Sequence, residues 1–205
     1  MPRAFTDAER MKIRNRLIAI GKRFINASGT RLLVVEDMSR EAGISKGSFY
    51  SFFPSREDFI LSVFESWEKE HREALIDRIS EGAGSTREKL ERFFLGSFEL
   101  IEREPGLARM GFGEIERLME DLPAERIAAH QDNDAKVLSR TFAEWAQGGL
   151  IDPTAPEALP GIISALFSIA LHKDDFRHGG YYPAVKLIAE ALAMRLATER
   201  KGGES

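Results

Sequence analysis

The chain has 205 residues, of which 43% are hydrophobic and 30% charged, enough apolar residues for one ordinary folded domain with or without a small appended module. It contains no cysteine, which excludes disulfides, thiolate catalysis and cysteine-ligated zinc and fits a reducing compartment. Neither the N-terminal residues nor the longest apolar run, residues 161–171, resembles a secretory signal or a membrane span, so we expect a cytoplasmic protein that does not enter a membrane.

The net charge of −4 is distributed unevenly along the chain. Residues 1–56 hold eleven Lys and Arg against five Asp and Glu and carry +6, whereas the remaining residues carry −10. A basic segment attached to an acidic body indicates that only this segment meets a polyanion such as nucleic acid. A chance cluster of solvated basic side chains is the alternative interpretation.

The first part of the chain predicts three helices. Thr6–Glu9 forms a capping box for the first helix, and Gly29 is expected to end it as a left-handed cap. A short second helix is expected to end at Gly43. Ser45 can cap a third short helix, which carries Phe49, Tyr50 and Phe53 and is stopped by Pro54.

The rest of the chain continues as helices, without the period-two alternation that would indicate a sheet. A long fourth helix opens at Ser55 and ends before the Gly82-Ala83-Gly84 break. A second capping box, Ser85–Glu88, begins a helix that ends at Pro105-Gly106. Further helices are predicted over residues 107–120, 123–147, 157–172 and 183–199. The fold class is therefore predicted to be all-α, with about nine helices.

The last two predicted helices are apolar on more sides than one core can cover. In the final helix, Ile188 belongs to one apolar face and Leu187 to a second face beside it. We therefore expect a homodimer in which both helices pack against their copies as a four-helix bundle. The expected interface residues are Leu159, Ile163, Leu166, Phe167, Ile188, Leu192 and Leu196. A central helix of a monomeric bundle is the alternative.

Residues 29–58 predict a helix-turn-helix, a unit whose second helix lies in the DNA major groove with its N-terminal residues at the base edges. Amide groups and the helix dipole favour phosphate at that N-terminus, and Gly47 allows a close approach of the backbone. Tyr50 supplies a hydroxyl, and Arg56 at the start of the next helix can reach a phosphate. The candidate DNA-binding residues are Ser45, Lys46, Gly47, Ser48, Tyr50, Ser51 and Arg56.

The residues 35–59, VEDMSREAGISKGSFYSFFPSREDF, together with Gly29, resemble the signature of the tetracycline-repressor (TetR) family of bacterial transcription regulators. The resemblance covers residues 6–60 or so, and the remainder agrees in length and layout. It implies a homodimer that binds double-stranded operator DNA, usually as a repressor, and that a small-molecule effector releases. The resemblance also implies DNA contacts by Lys46, Ser48, Tyr50, Ser51 and Arg56, with Arg40 as a lesser candidate. It also implies two domains: a helix-turn-helix domain over 1–54 and a helical effector-binding and dimerisation domain over 55–205.

One departure from the family pattern lies just before the second helix. The family usually has Thr or Ser there, which caps the helix and often touches a phosphate. Leu33 and Val34 occupy those places here and cannot cap. The phosphate contact at that helix start is therefore in question, unless the backbone amides serve alone.

A pocket for an apolar or aromatic molecule with one or two polar groups is a further expectation, because the middle helices hold many aromatic residues. The polar candidates are Arg109, Glu114, Asn133 and His172. The apolar candidates are Phe64, Trp67, Phe98, Phe112, Trp145 and Phe167, most of which would also serve as ordinary core residues.

Enzymatic chemistry has little support in the sequence, and no cofactor or metal is predicted. A cluster in a predicted loop, His172, Asp174, Asp175 and His178, could bind a metal but more often would be a solvated connection. Two alternatives to a DNA-binding regulator stay open. One is a helical binding or scaffold protein whose basic segment meets a protein partner or an anionic surface, and the other is a small helical enzyme.

Overall fold

The computed structural model describes residues 5–81, 83–104, 106, 112–176 and 179–198. These residues confirm the all-α prediction, since their only strand-like feature is an isolated bridge between Ile151 and Ala197. The helices are α1 Asp7–Ser28, α2 Val35–Ala42, α3 Lys46–Phe49, α4 Arg56–Glu81, α5 Thr86–Arg103, α6 Phe112–Glu120, α7 Ala124–Gln147, α8 Leu159–Leu171 and α9 Tyr181–Leu196, with a 3-10 turn at Lys173–Asp175.

Most predicted helix bounds agree with the observed ones to within a few residues. The third helix is shorter than predicted, because α3 ends at Phe49 and Tyr50 begins the turn that follows. The stretch 107–111 and Glu199 lie outside the described residues. The prediction for Gly29 was wrong in detail: its φ of 74° is positive, but its ψ of 176° is extended rather than left-handed helical. Glycine accepts this combination because it has no Cβ.

The chain divides into two compact units. Unit 1 comprises residues 1–70 and 104–123, and unit 2 comprises residues 71–103 and 124–205. The boundary after residue 70 falls inside α4. The two-domain division that the sequence predicts, 1–54 and 55–205, stays a prediction.

Unit 1 is built around the crossing of α1 and α4. A Cβ on Gly21 of α1 would lie 2.7 Å from Phe59 Cζ and 2.8 Å from Val63 Cγ2, so only glycine allows the two helices to approach this closely. Phe59 also packs against Phe49 and Phe53, with ring centroids 5.2 and 4.9 Å apart. These rings are fully buried, and they attach the helix-turn-helix to the long helix.

Unit 2 is a bundle in which α5 packs against α9 and α8, and α7 packs against α8. Phe93 of α5 contacts Trp145 of α7 edge-on, with centroids 5.1 Å apart. Phe98 meets Tyr181 at the start of α9 at 6.4 Å. In the part of the chain that the structure describes, none of these helices has the length and apolar character needed to cross a bilayer.

Candidate nucleic-acid interface

The turn between α2 and α3 is fixed by local chemistry. Gly43 is left-handed, with φ 73° and ψ 31°, and the amide of Ile44 donates to the Ser39 carbonyl at 3.0 Å. Ser45 then caps α3 as predicted, since its Oγ accepts a hydrogen bond from the Ser48 amide at 3.0 Å. The beginning of α3 therefore has a defined position relative to α2.

One side of α3 is buried and the other is open to solvent. Phe49 is fully buried, whereas Ser45, Lys46 and Gly47 are exposed and Tyr50 is 44% exposed. The Tyr50 ring stands edge-on to Phe49, with ring centroids 5.5 Å apart. Of the remaining predicted residues near α3, Ser51 is exposed and Ser48 is half-buried.

Gly47 is not required by the fold. A Cβ built on it would meet only Ser45 Oγ, at 3.9 Å, which is ordinary van der Waals contact. Its φ lies outside the positive range, and a glycine inside a helix is less stable than alanine. The protein itself therefore gives no reason for glycine at this exposed position, and a close approach by a partner would give one.

Three basic side chains of this region are paired with carboxylates of α2: Lys46 with Glu36, Arg40 with Asp37 and Arg23 with Glu41. The hydrogen bond from the Lys46 ammonium lowers the pKa of Glu36, and the same bond raises the pKa of Lys46. The Lys46–Glu36 pair connects α3 to α2, whereas Arg40 and Asp37 lie one turn apart on the same helix. The positive charge of this surface is therefore partly compensated before any partner arrives.

Arg56 occupies a different environment from the one predicted. Its Nε donates to the Leu33 carbonyl at 3.0 Å, Nη2 donates to the Thr30 carbonyl, and Nη1 pairs with Glu57 at 3.1 Å. The side chain is one-third exposed. Arg56 therefore holds the loop that leads into α2, and its predicted phosphate contact stays a prediction.

The start of α2 agrees with the sequence expectation that Leu33 and Val34 cannot cap it. Val34 is the N-cap residue and makes no side-chain cap hydrogen bond. Leu33 is buried, whereas Val34 is 45% and Leu32 68% exposed. This end of α2 therefore offers a partner backbone amides and apolar groups but no hydroxyl.

Sequence reasoning missed two arginines of α1 that support the segment after α3. Arg10 Nη2 donates to the Ser51 carbonyl at 2.8 Å, and its guanidinium lies 4.8 Å from the centroid of the Phe52 ring. Arg14 lies over the Phe53 ring at 4.5 Å. Their spacing of four residues places both on one face of α1, which was the available signal.

The eight predicted pocket residues whose side chains the structure describes are divided between the two units. In unit 1, Phe64 and Trp67 are buried and stacked on each other at 5.8 Å, so they are core residues. In unit 2, Phe98 is also buried. Asn133 and Phe167 are exposed, Trp145 packs on Phe93, and His172 Nδ1 lies 2.8 Å from the Ser168 carbonyl oxygen. Arg109 and the side chain of Phe112 lie outside what the structure describes.

One cleft among the described residues has no aromatic side chain in its lining. It is an open cleft of about 430 Å³ in unit 1, and of the predicted pocket residues it contains Glu114. Glu114 accepts a hydrogen bond from the Thr30 hydroxyl. The cleft is lined by Ser28, Gly29, Thr30, Arg31, Gly113, Glu114 and Arg117.

The proposed metal cluster is only partly within the described residues, since His178 and the side chain of Asp174 lie outside them. In the described part of the chain, no group of three or more His, Asp and Glu side chains is arranged to hold a metal.

The predicted interface residues of α8 and α9 fall into two groups. Leu159, Leu166 and Leu196 are at most 7% exposed, so their side chains belong to the core of the protomer and not to its surface. Ile163, Ile188 and Leu192 are half-buried, and Phe167 is 36% exposed. The most exposed large apolar side chains of α9 are Leu187 and Met194, which the predicted interface omitted.

Comparison with known proteins gives one relative by sequence. The HTH-type transcriptional repressor KstR2 of Mycolicibacterium smegmatis is 30% identical over 121 residues, which are 58% of this chain and 57% of that protein. The chain therefore matches a little over half the length of this relative. No protein-family model matches the chain.

Solved structures match over nearly the whole chain. A TetR-family transcriptional regulator from Pectobacterium atrosepticum superposes with a TM-score of 0.70 at 20% identity, covering 96% of this chain and 100% of that one. The TetR-family repressor AlkX from Dietzia sp. gives 0.65 at 17% identity, covering 88% and 93%. The chain has the fold of the TetR-family regulators, and the resemblance predicted from residues 29–59 is confirmed.

Proposed function

We propose that this chain is a dimeric, sequence-specific DNA-binding transcription regulator of the bacterial cytoplasm, acting as a repressor that a small-molecule effector releases. The proposal is supported above all by the exposed polar side of α3, where Ser45, Lys46 and Tyr50 stand beside a glycine that the fold does not need. These groups are suited to the base edges and phosphates of a major groove.

The contacts have distinct roles in this proposal. Lys46 reaches a base edge, while the hydroxyl of Tyr50 binds phosphate and fixes the position of the helix on the duplex. Arg56 acts through the loop that it holds and so places the start of α2. Two copies of this surface, related by a two-fold axis, would read two half-sites of an operator about 34–36 Å apart.

Release by an effector is the part of the proposal that rests on unit 2. Its aromatic cluster of Phe93, Phe142 and Trp145 includes a half-buried indole, which suits an apolar or aromatic molecule. The fold neighbour AlkX is described as implicated in biodegradation of n-alkanes, which fits the same class of ligand. We propose no catalytic activity.

The test begins with selection of bound duplexes from a random pool by the unmodified protein. The selected duplex and a shuffled version of it are then compared by fluorescence anisotropy at one fixed salt concentration. We expect the selected duplex to bind on the order of 10³-fold more tightly. Equal affinity for both duplexes would favour the alternative, a helical scaffold whose basic segment meets any anionic surface.

Two substitutions assign the contacts within the same assay. Tyr50→Phe removes one hydroxyl from a side chain that is 44% exposed. It should lower the affinity for the selected and the shuffled duplex by the same factor, on the order of five-fold. Lys46→Ala should lower the affinity for the selected duplex more than that for the shuffled duplex, and it should relax the preference at one base position in each half-site. Unchanged affinity in both variants, with helical content intact, would remove α3 from the interface.

A further inference from the structure

The pair between Lys46 and Glu36 joins the two helices of the helix-turn-helix. Lys46 is the first residue of α3, and Glu36 lies in the first turn of α2, ten residues earlier. The two side chains are half exposed, at 52% and 53%, and Glu36 accepts a hydrogen bond from Lys46 Nζ. Exposed ion pairs add little to folding stability, so stability does not explain why a carboxylate stands here.

The position of Glu36 is unfavourable for simple affinity toward DNA. The first helix of a helix-turn-helix crosses the phosphate backbone, and Glu36 is in the first turn of that helix. A carboxylate at this place repels phosphate and occupies the cation that would otherwise neutralise one. The carboxylate lowers the affinity for every DNA sequence alike, so any advantage that compensates for it must lie in the discrimination between sequences.

That gain follows from the donors of Lys46. An ammonium group has three N–H donors, and a bond to Glu36 leaves two. Two donors held in a fixed direction suit the paired acceptors O6 and N7 of guanine in the major groove. An unrestrained lysine would instead settle on phosphate as a mobile point charge, which carries no sequence information.

We infer that Glu36 is a specificity-determining residue, which positions Lys46 for a base edge and opposes its use as a phosphate contact. This inference rests on the proposed DNA-binding function. In this role Glu36 acts through Lys46. Removing the Glu36 carboxylate should therefore strengthen non-specific DNA binding and weaken the discrimination between selected and shuffled duplexes. The chain offers a close control in Asp37, the next residue, which pairs with Arg40 of its own helix and not with α3.

The experiment compares Glu36→Gln, Asp37→Asn and the unmodified protein on the selected and shuffled duplexes at fixed salt. Glu36→Gln should bind the shuffled duplex several-fold more tightly, while the ratio of the two affinities falls by roughly five-fold or more, with relaxed preference at one base position. Asp37→Asn makes the same charge change one residue away. Asp37→Asn should raise the affinity for both duplexes by a similar factor and so preserve the ratio of the two affinities.

A double-mutant cycle with Lys46→Met separates positioning from simple charge. In the Lys46→Met background, adding Glu36→Gln should change both affinities equally and leave the ratio unaltered. If Glu36→Gln discriminates between the two duplexes as well as the unmodified protein does, the inference is overturned while the proposed function stands. Failure of the unmodified protein to distinguish the two duplexes would overturn both. Circular dichroism of each variant checks that helical content is retained.

Discussion

Arg56 and Leu33 are joined by a hydrogen bond from the guanidinium Nε to the carbonyl oxygen, 3.0 Å long. A second donor of the same guanidinium reaches the Thr30 carbonyl, so one side chain at the start of α4 holds both ends of a four-residue stretch before α2. The position of α2 relative to the long helix therefore depends on a planar, forked donor. A lysine could replace the charge of Arg56 but not this geometry.

The first prediction is that Arg56→Ala lowers the free energy of unfolding by about 1–3 kcal/mol, because two carbonyls lose a charged donor. DNA affinity should fall with it, for selected and shuffled duplexes alike. Arg56→Lys should lose much of the same stability. Denaturant unfolding and anisotropy together check this. If Arg56 serves only as a phosphate contact, Arg56→Lys will keep both stability and affinity.

The second prediction concerns Gly47, at which a Cβ meets no atom of the protein closer than 3.9 Å. Gly47→Ala should leave the protein as stable or more stable, by at most about 1 kcal/mol, because alanine is the better helix former. Operator affinity should fall by about 1–3 kcal/mol, because the methyl group occupies space needed by the groove wall. Thermal unfolding and anisotropy measure the two effects.

Gly113 on α6 provides the matched control for this substitution. A Cβ there meets nothing within 4 Å, and the residue is exposed near the beginning of a helix, as Gly47 is. Gly113→Ala should therefore leave operator affinity unchanged. Equal losses of affinity in both variants would show that the effect of Gly47→Ala comes from the fold and not from contact with DNA.

The third prediction concerns salt. A segment of +6 in each protomer gives about +12 in a dimer, so affinity for duplex should fall on the order of 10²-fold or more between about 50 and 200 mM salt. Arg40→Gln should reduce the slope of log affinity against log salt by about one for each protomer. Lys136→Gln, an exposed change on α7, should leave the slope unaltered. A slope near zero for the unmodified protein would argue against DNA as the partner.

The fourth prediction concerns Asp152 in unit 2. Hydrogen bonds from the Thr154 hydroxyl and amide, and then from Arg195, lower the pKa of Asp152 to about 2. The depressed pKa means that these bonds stabilise the folded state above about pH 4 and that this stability is lost as the pH falls toward 2. Asp152→Asn should therefore lower Tm at pH 7, and the difference in Tm should shrink as the pH falls from about 5 to 2. A constant difference across that range would exclude this role.

Local chemistry explains which parts of the fold could be predicted. Both capping boxes are present: the Thr6 amide donates to Glu9 at 2.8 Å, and the Ser85 amide donates to Glu88 at 2.7 Å. Each depends only on residues three apart, which the sequence shows directly. The Ser45 cap has the same origin, and for that reason the start of α3 and its exposed side followed from the sequence.

Contacts between residues that lie far apart in the chain could not be predicted from the sequence. The partners of Arg56 lie 23 and 26 residues earlier in the chain, so its role in holding a loop has no local signature. The predicted effector pocket stays a prediction for a related reason. A run of aromatic residues does not reveal which rings face each other, and Phe64 and Trp67 are occupied by stacking in the core of unit 1.

The last prediction concerns the apolar surface of α9. Its inward residues are Tyr181, Val185, Ala189, Ala193 and Leu196. Leu187 and Met194, seven residues apart and so on one helix face, are 67% and 63% exposed. An α-helix of a monomer has no need of this second stripe, so we expect it to face a second copy across a two-fold axis.

A charge in a two-fold interface meets its own copy, so Leu187→Glu should oppose dimerisation by several kcal/mol. Since Leu187 is exposed in the protomer, the variant should remain folded but sediment near 23 kDa, half the mass expected for the unmodified protein, with operator affinity sharply reduced. Leu166→Glu should instead unfold the protein, because Leu166 is only 4% exposed. Gln131→Glu, an equal charge change at an exposed position of α7, should alter neither mass nor affinity. A mass near 23 kDa for the unmodified protein at micromolar concentration would contradict the dimer directly.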